Sequence, residues 1–141
     1  MENFFEDIYP EELQLNKENV DDWNTNFLDL HISIENGVFT TKLFDKRDHF
    51  GFNITRLPFR DSNIPNRMFY SSIAAESLRI FRASSTSNNA VQSIKTLAAR
   101  MVSQGAKVQP MKQCVGKMIN RHKINLKYGT VGDNLVRQIF S

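Results

Sequence analysis

The sequence predicts an α+β fold: a two-stranded antiparallel β-ribbon, with room for a third strand, packed on about four α-helices. Three observations predict it. Residues 27–46 alternate apolar and polar side chains around an Asn-Gly pair. Residues 65–139 carry apolar side chains at helical spacing, in blocks separated by serine, glycine and proline. The length of 141 residues, 40% of them hydrophobic and eleven of them Phe, fits one domain with an aromatic-rich core.

Residues 1–26 form an acidic lead segment. Ile8, Leu13 and Leu15 within it suggest a short strand, and Asn24, Thr25 and Asn26 mark a turn at its end. Residues 27–60 follow as a hairpin and loop. Leu28, Leu30, Ile32 and Ile34 alternate with Asp29, His31 and Ser33. Asn36-Gly37 is the favoured pair for a two-residue type I′ turn. That turn sets Glu35 opposite Val38, Ile34 opposite Phe39, Ile32 opposite Thr41 and Leu30 opposite Leu43. Leu28, Leu30, Ile32, Ile34, Phe39 and Leu43 then share one apolar face, which must pack on something because a lone hairpin is marginal in water. The opposite face carries Asp29, His31, Ser33, Thr40, Lys42, Phe44 and Lys46. Hydroxyls and cations of this kind hold phosphates and sugars, and a ring can stack a base. An ordinary solvent face has the same composition.

Residues 61–141 read as helical. Pro65 fits a first helical turn, with Ser62 or Asn63 near the cap, and the helix runs to about Ala83. Phe69, Ile73, Ile80 and Phe81 lie along one side with Ala74 and Ser77, leaving Arg67, Arg79 and Arg82 toward the edges. A serine at 85–87 caps a second helix to about Gln104, with Val91, Ile94, Leu97, Ala98, Met101 and Val102 at helical spacing and Gly105 at its C-terminal stop. Pro110 opens a third, with Met111, Cys114, Val115 and Met118 on one face and Lys112, Lys117, Arg121 and Lys123 on the other. Leu135, Val136 and Ile139 predict a short last helix.

Charge is split along the chain. Residues 1–36 hold ten acidic side chains against Lys17, a balance of −9, and residues 37–141 hold 17 basic against five acidic, a balance of +12. Such a split points to a nucleic-acid or membrane partner, or to a plainly solvated basic surface. No apolar run approaches the roughly 20 residues of a membrane span. The acidic N-terminus lacks a signal-peptide pattern, and the single Cys114 fits a reducing compartment. An intracellular protein, cytoplasmic or nuclear, is the expectation. Three His and one Cys give no zinc spacing, and no phosphate loop, nucleophile elbow or metalloprotease motif occurs. Asp21-Asp22 resembles a two-metal aspartate pair but lacks flanking apolar strand sequence, so a solvated turn is expected there.

The stretch FLDLHISIENGVFTTKLFDKRDHFGF, followed by DSNIPNRMFYSSIAAESLRIFRASS and LAARMVSQGA, resembles the C-terminal part of retroelement reverse transcriptases of the Penelope-like or related non-retroviral kind. The likeness lies in an F-L-D-L strand, a short hairpin turn and T-x-L-[YF]-x-K. An S-N-I-P stretch, an arginine-bearing helix and a helix ending in Q-G follow in order. It covers about residues 8–125. It implies that the ribbon is a palm-end primer grip, with Thr40, Lys42, Phe44 and Lys46 along the primer backbone. The helices would form a thumb-like or helix-turn-helix region, with Arg67, Arg79, Arg82, Lys112, Lys117 and Arg121 on phosphates. The catalytic aspartates of such enzymes would lie upstream of Met1. The chain alone is therefore expected not to polymerise and to carry no cofactor, magnesium belonging to an intact parent enzyme. An RNA/DNA primer-template is the expected partner, with a catalytic partner chain left open and no membrane. Two alternatives stand beside it. One is a helix-turn-helix binding module on helices 90–104 and 110–123. The other is a non-catalytic interaction protein or remnant without function, in which the acidic segment 1–36 folds back over the basic face or docks on a basic partner.

Overall fold

The computed structural model describes residues 21–52 and 54–141. The strand expected at residues 8–15 lies outside them. Strands β1 (Asn24–Phe27), β2 (Leu30–Glu35) and β3 (Val38–Leu43) form an antiparallel sheet in the order β1-β2-β3. Helices α1 (Asn66–Ala83), α2 (Ser87–Ser103), α3 (Val108–Arg121), α4 (Ile124–Tyr128) and α5 (Gly132–Ile139) follow. The fold is α+β.

The hairpin has the register that its turn dictates, with Ile34 opposite Phe39, Ile32 opposite Thr41 and Leu30 opposite Leu43. Asn36 and Gly37 both have positive φ, at 52° and 76°, as a type I′ turn requires. The third strand is a correction: Asn24–Asn26, expected as a turn, pairs with His31–Ser33 as β1. The apolar face is also smaller than expected. Leu28 does not extend β2 but sits in the β1–β2 turn at φ 54°, with 78% of its surface exposed. Phe39 is 69% exposed. Among the described residues, the helices meet the ribbon at its Leu43 end. Leu43 packs against the core, while Thr41 donates through Oγ1 to the carbonyl of Ala83 (2.8 Å). Ser85 clasps the free edge of β3, donating its N–H to Thr41 O and accepting from Thr41 N–H, both at 2.9 Å. An edge strand is thereby paired rather than left open.

The core lies among the helices. Phe69, Ile73, Ile80 and Phe81 of α1 are buried as their spacing predicts, and α1 packs on α3 and α2 while α5 closes against both. The core that the described residues form is not aromatic-rich. Among the described residues only Phe69 and Phe81 of the phenylalanines are fully buried, and Phe27, Phe39, Phe50, Phe52 and Phe59 are exposed. Isoleucine, methionine and valine fill the interior instead.

Helix ends differ in detail from their expected positions. Pro65 occupies the cap position of α1, without a side-chain hydrogen bond, and Ser62 Oγ donates to Phe59 O instead. Thr86, not a serine, caps α2 by accepting from Asn89 N–H (3.3 Å). Gly105 stops α2 at φ 92°; its N–H donates to Val102 O, and Ala106 N–H donates to Met101 O. This is the paired C-terminal motif that a left-handed glycine permits. Val102, expected on the apolar face, is exposed. α3 begins at Val108, so Pro110 falls in its first turn, where a missing N–H leaves no helical bond unmade. α4 was not foreseen, because five residues are too few to show a period. Its Lys127 Nζ donates to the carbonyls of Phe81 (2.6 Å) and Ser84 (2.7 Å), and the single Tyr128 hydroxyl proton is shared between the same two oxygens. Together they satisfy the last carbonyls of α1 and place a cation at the negative end of its dipole.

Candidate functional site

The strongest candidate is a groove of about 490 Å³ between the end of β3, the outer side of α1 and one face of α2. The pleat of β3 puts Lys42 on the polar face and leads into Phe44, Asp45 and Lys46. α1 contributes Glu76 and Arg79, one turn apart. α2 contributes Asn89, Gln92, Ser93, Thr96 and Arg100, a polar stripe that recurs about every turn. The loop before α1 adds Arg56.

Six cations (Lys42, Lys46, Arg47, Arg56, Arg79, Arg100) face three carboxylates (Asp29, Asp45, Glu76) in this groove, an excess of three positive charges. The carboxylates are occupied. Asp45 accepts from Arg47 and from Arg100 (3.1 Å), and these guanidinium groups hold its pKa down at about 2. Arg47 also receives a local clasp, since its N–H and side chain both reach Asp45. Glu76 holds Arg56 (2.7 Å) and Arg79 (3.7 Å), and Arg79 reaches Asp29 (3.4 Å). Lys42 and Lys46 make no ion pair among the described residues. His31, opposite Lys42 on the sheet, contacts Asn26 Oδ1 through Nδ1 (2.7 Å). Burial, then the Lys42 charge, push its pKa below 6.5 and favour the neutral ring.

Of the residues singled out from the sequence, the structure brings Lys42, Phe44, Lys46 and Arg79 to this groove. Thr40 shares the ribbon's polar face, but its hydroxyl contacts Ser33 Oγ (2.6 Å) outside the groove. Arg82 lies beside Leu30, Leu43 and Leu78 in a shallow pocket on the neighbouring flank of α1. Arg67 is at the other end of α1, roughly 18 Å along the axis from Arg79. Lys112, Lys117 and Arg121 lie on α3, away from the groove. They also do not form one face: Lys112 and Lys117 are about 140° apart around the helix, and Lys112 is half-buried. Arg47, Arg56, Arg100 and the α2 stripe were not identified from sequence. A signal existed in the i, i+4, i+7, i+11 spacing of Asn89, Ser93, Thr96 and Arg100.

Asp21 lies in an exposed turn, as expected. Its carboxylate accepts from Asn24 Nδ2 (3.0 Å) and from Trp23 N–H (2.8 Å), which lowers its pKa. Among the described residues no group of three or more His, Cys, Asp or Glu is placed to hold a metal ion, and no helix is long and apolar enough to cross a membrane. No family model, curated protein or solved structure matches the chain.

Proposed function

We propose that this domain binds nucleic acid, with the phosphate backbone lying in the groove between β3, α1 and α2. One observation carries the proposal: three carboxylates are each already paired with arginine, and Lys42 and Lys46 make no ion pair among the described residues. Paired arginines held by carboxylates are oriented in advance, and an oriented guanidinium loses less entropy when it meets a phosphate. The amide and hydroxyl groups of Asn89, Gln92, Ser93 and Thr96 supply the neutral donors common at sugar–phosphate contacts. The sequence likeness to the C-terminal part of reverse transcriptases supports the same reading. It suggests a primer-template as the nucleic acid.

The test is a fluorescence-anisotropy titration of labelled primer-template across salt. Wild type should show a steep salt slope, and Lys42→Ala/Lys46→Ala should flatten it by about 0.9 per lost phosphate contact. Unchanged slope and affinity in the double variant would remove the groove from the account.

A second reading rests on α3. Gln109, Gln113, Lys117 and Asn120 are exposed along one stripe of that helix. A four-residue turn through Gly105 joins α2 to α3. A helix-turn-helix would read base edges from this stripe. It predicts loss of binding in Lys117→Ala/Arg121→Ala and sequence preference, neither of which groove binding requires.

A further inference from the structure

Beside the groove lies a second concavity of about 600 Å³, lined by Asn26, Phe27, Leu28, Phe44, Lys46, His49 and Phe50. Three of its apolar side chains face solvent: Phe27 (63% exposed), Leu28 and Phe50 (51%). Apolar surface gathered in this way marks a binding surface more often than chance solvent exposure. Leu28 carries a further cost. Its φ of 54° is a conformation that Gly or Asn adopts freely and a leucine does not. The Phe44 and His49 rings stand 5.3 Å apart at 49°, leaving an aromatic wall. Phe44 and Lys46 belong to both concavities. A ligand with phosphates in the groove therefore has aromatic surface within reach of whatever those phosphates carry.

We propose that the domain takes a single-stranded stretch of nucleic acid, with an unpaired base stacked in the pocket of Phe27, Phe44, His49 and Phe50. This rests on the groove binding phosphates. It goes further by naming the strand state of the ligand. Bases of a duplex are already paired and stacked, and only an unpaired base presents a free face to a ring. Aromatic side chains beside a cationic track are the general means of holding single strands without reading sequence. DNA and RNA offer the same base faces, so the probes include both.

The experiment compares four labelled ligands carrying the same number of phosphates. They are a single-stranded oligothymidylate, an oligouridylate, an abasic strand of the same length and a blunt duplex. Phe50→Ala removes an exposed ring from a loop. Leu28→Gly removes the turn leucine and relieves its backbone. Lys42→Ala, which lines the groove and not the pocket, monitors the groove. Base-bearing strands should bind about ten-fold tighter than the abasic strand. Phe50→Ala and Leu28→Gly should each lose several-fold on base-bearing strands and nothing on the abasic one. The lysine variant should weaken all four. Equal affinity for abasic and base-bearing strands, or a duplex bound as tightly as a single strand, would overturn the base pocket and leave the groove standing. Insensitivity of every ligand to the lysine variant would overturn both.

Discussion

At the residue scale, two side chains hold charge and strain in ways that single substitutions expose. Asp45 has its pKa lowered from 3.8 to about 2, chiefly by its hydrogen bond from Arg47, with further help from Arg100. The folded value is below the unfolded one, so this contribution is complete above about pH 5 and is lost as pH falls toward 2. The site is half-buried, and solvent screening still reduces the contribution to about 1 kcal/mol. Asp45→Asn should therefore lower stability by about 1 kcal/mol at pH 7, measured by urea unfolding, with the deficit vanishing in acid. A deficit that persists at pH 2 would assign the effect to packing. Leu28 is the opposite case. A left-handed conformation costs a leucine about 1–2 kcal/mol, and glycine returns about 0.5–1 kcal/mol through the unfolded chain. Leu28→Gly should leave the melting temperature unchanged or slightly raised. A clear fall would mean that the leucine packs against the fold.

At the element scale, the hairpin was legible because two independent signals coincide in it: alternation along Leu30–Ile34 and the Asn36-Gly37 turn. The helices were legible from their buried spacing, and Gly105 from its place after an apolar run. β1 was not, since Asn-Thr-Asn is turn composition and only pairing with β2 makes it a strand. The depth of the apolar face was not either. Alternation tells which side a residue is on but not how far the helices reach, and they stop near Thr41. Half of the candidate site was hidden for a related reason: a polar stripe on α2 looks like any solvated face until β3 is laid beside it. The end of α1 gives an element-scale prediction. Tyr128 Oη reaches Phe81 O (2.7 Å) and Ser84 O (2.9 Å), and burial raises its pKa to about 12. Tyr128→Phe should destabilise by about 1–2 kcal/mol in thermal or urea unfolding. A neutral result would show that Lys127 alone satisfies those carbonyls.

At the scale of the whole molecule, charge segregation is the organising feature. Residues 1–20 hold six acidic side chains against Lys17, while the groove holds an excess of cations. Like-charge repulsion from the acidic segment opposes a polyanion. Deleting residues 1–20 should therefore tighten nucleic-acid binding several-fold at low salt, and less at high salt as screening sets in. The cut belongs at 20 and not 26, because the Asp21 turn and β1 are part of the sheet. Unchanged affinity would mean that the segment acts elsewhere. The most direct test of the central claim is to locate the ligand by an NMR amide titration of the intact chain with a single-stranded oligonucleotide. The prediction is shifts concentrated at Lys42–Arg47, at Arg79 and along Asn89–Arg100, with the base-pocket residues Phe27, Leu28, His49 and Phe50, fading as salt is raised. Shifts confined to α3, or none at low salt, would contradict it.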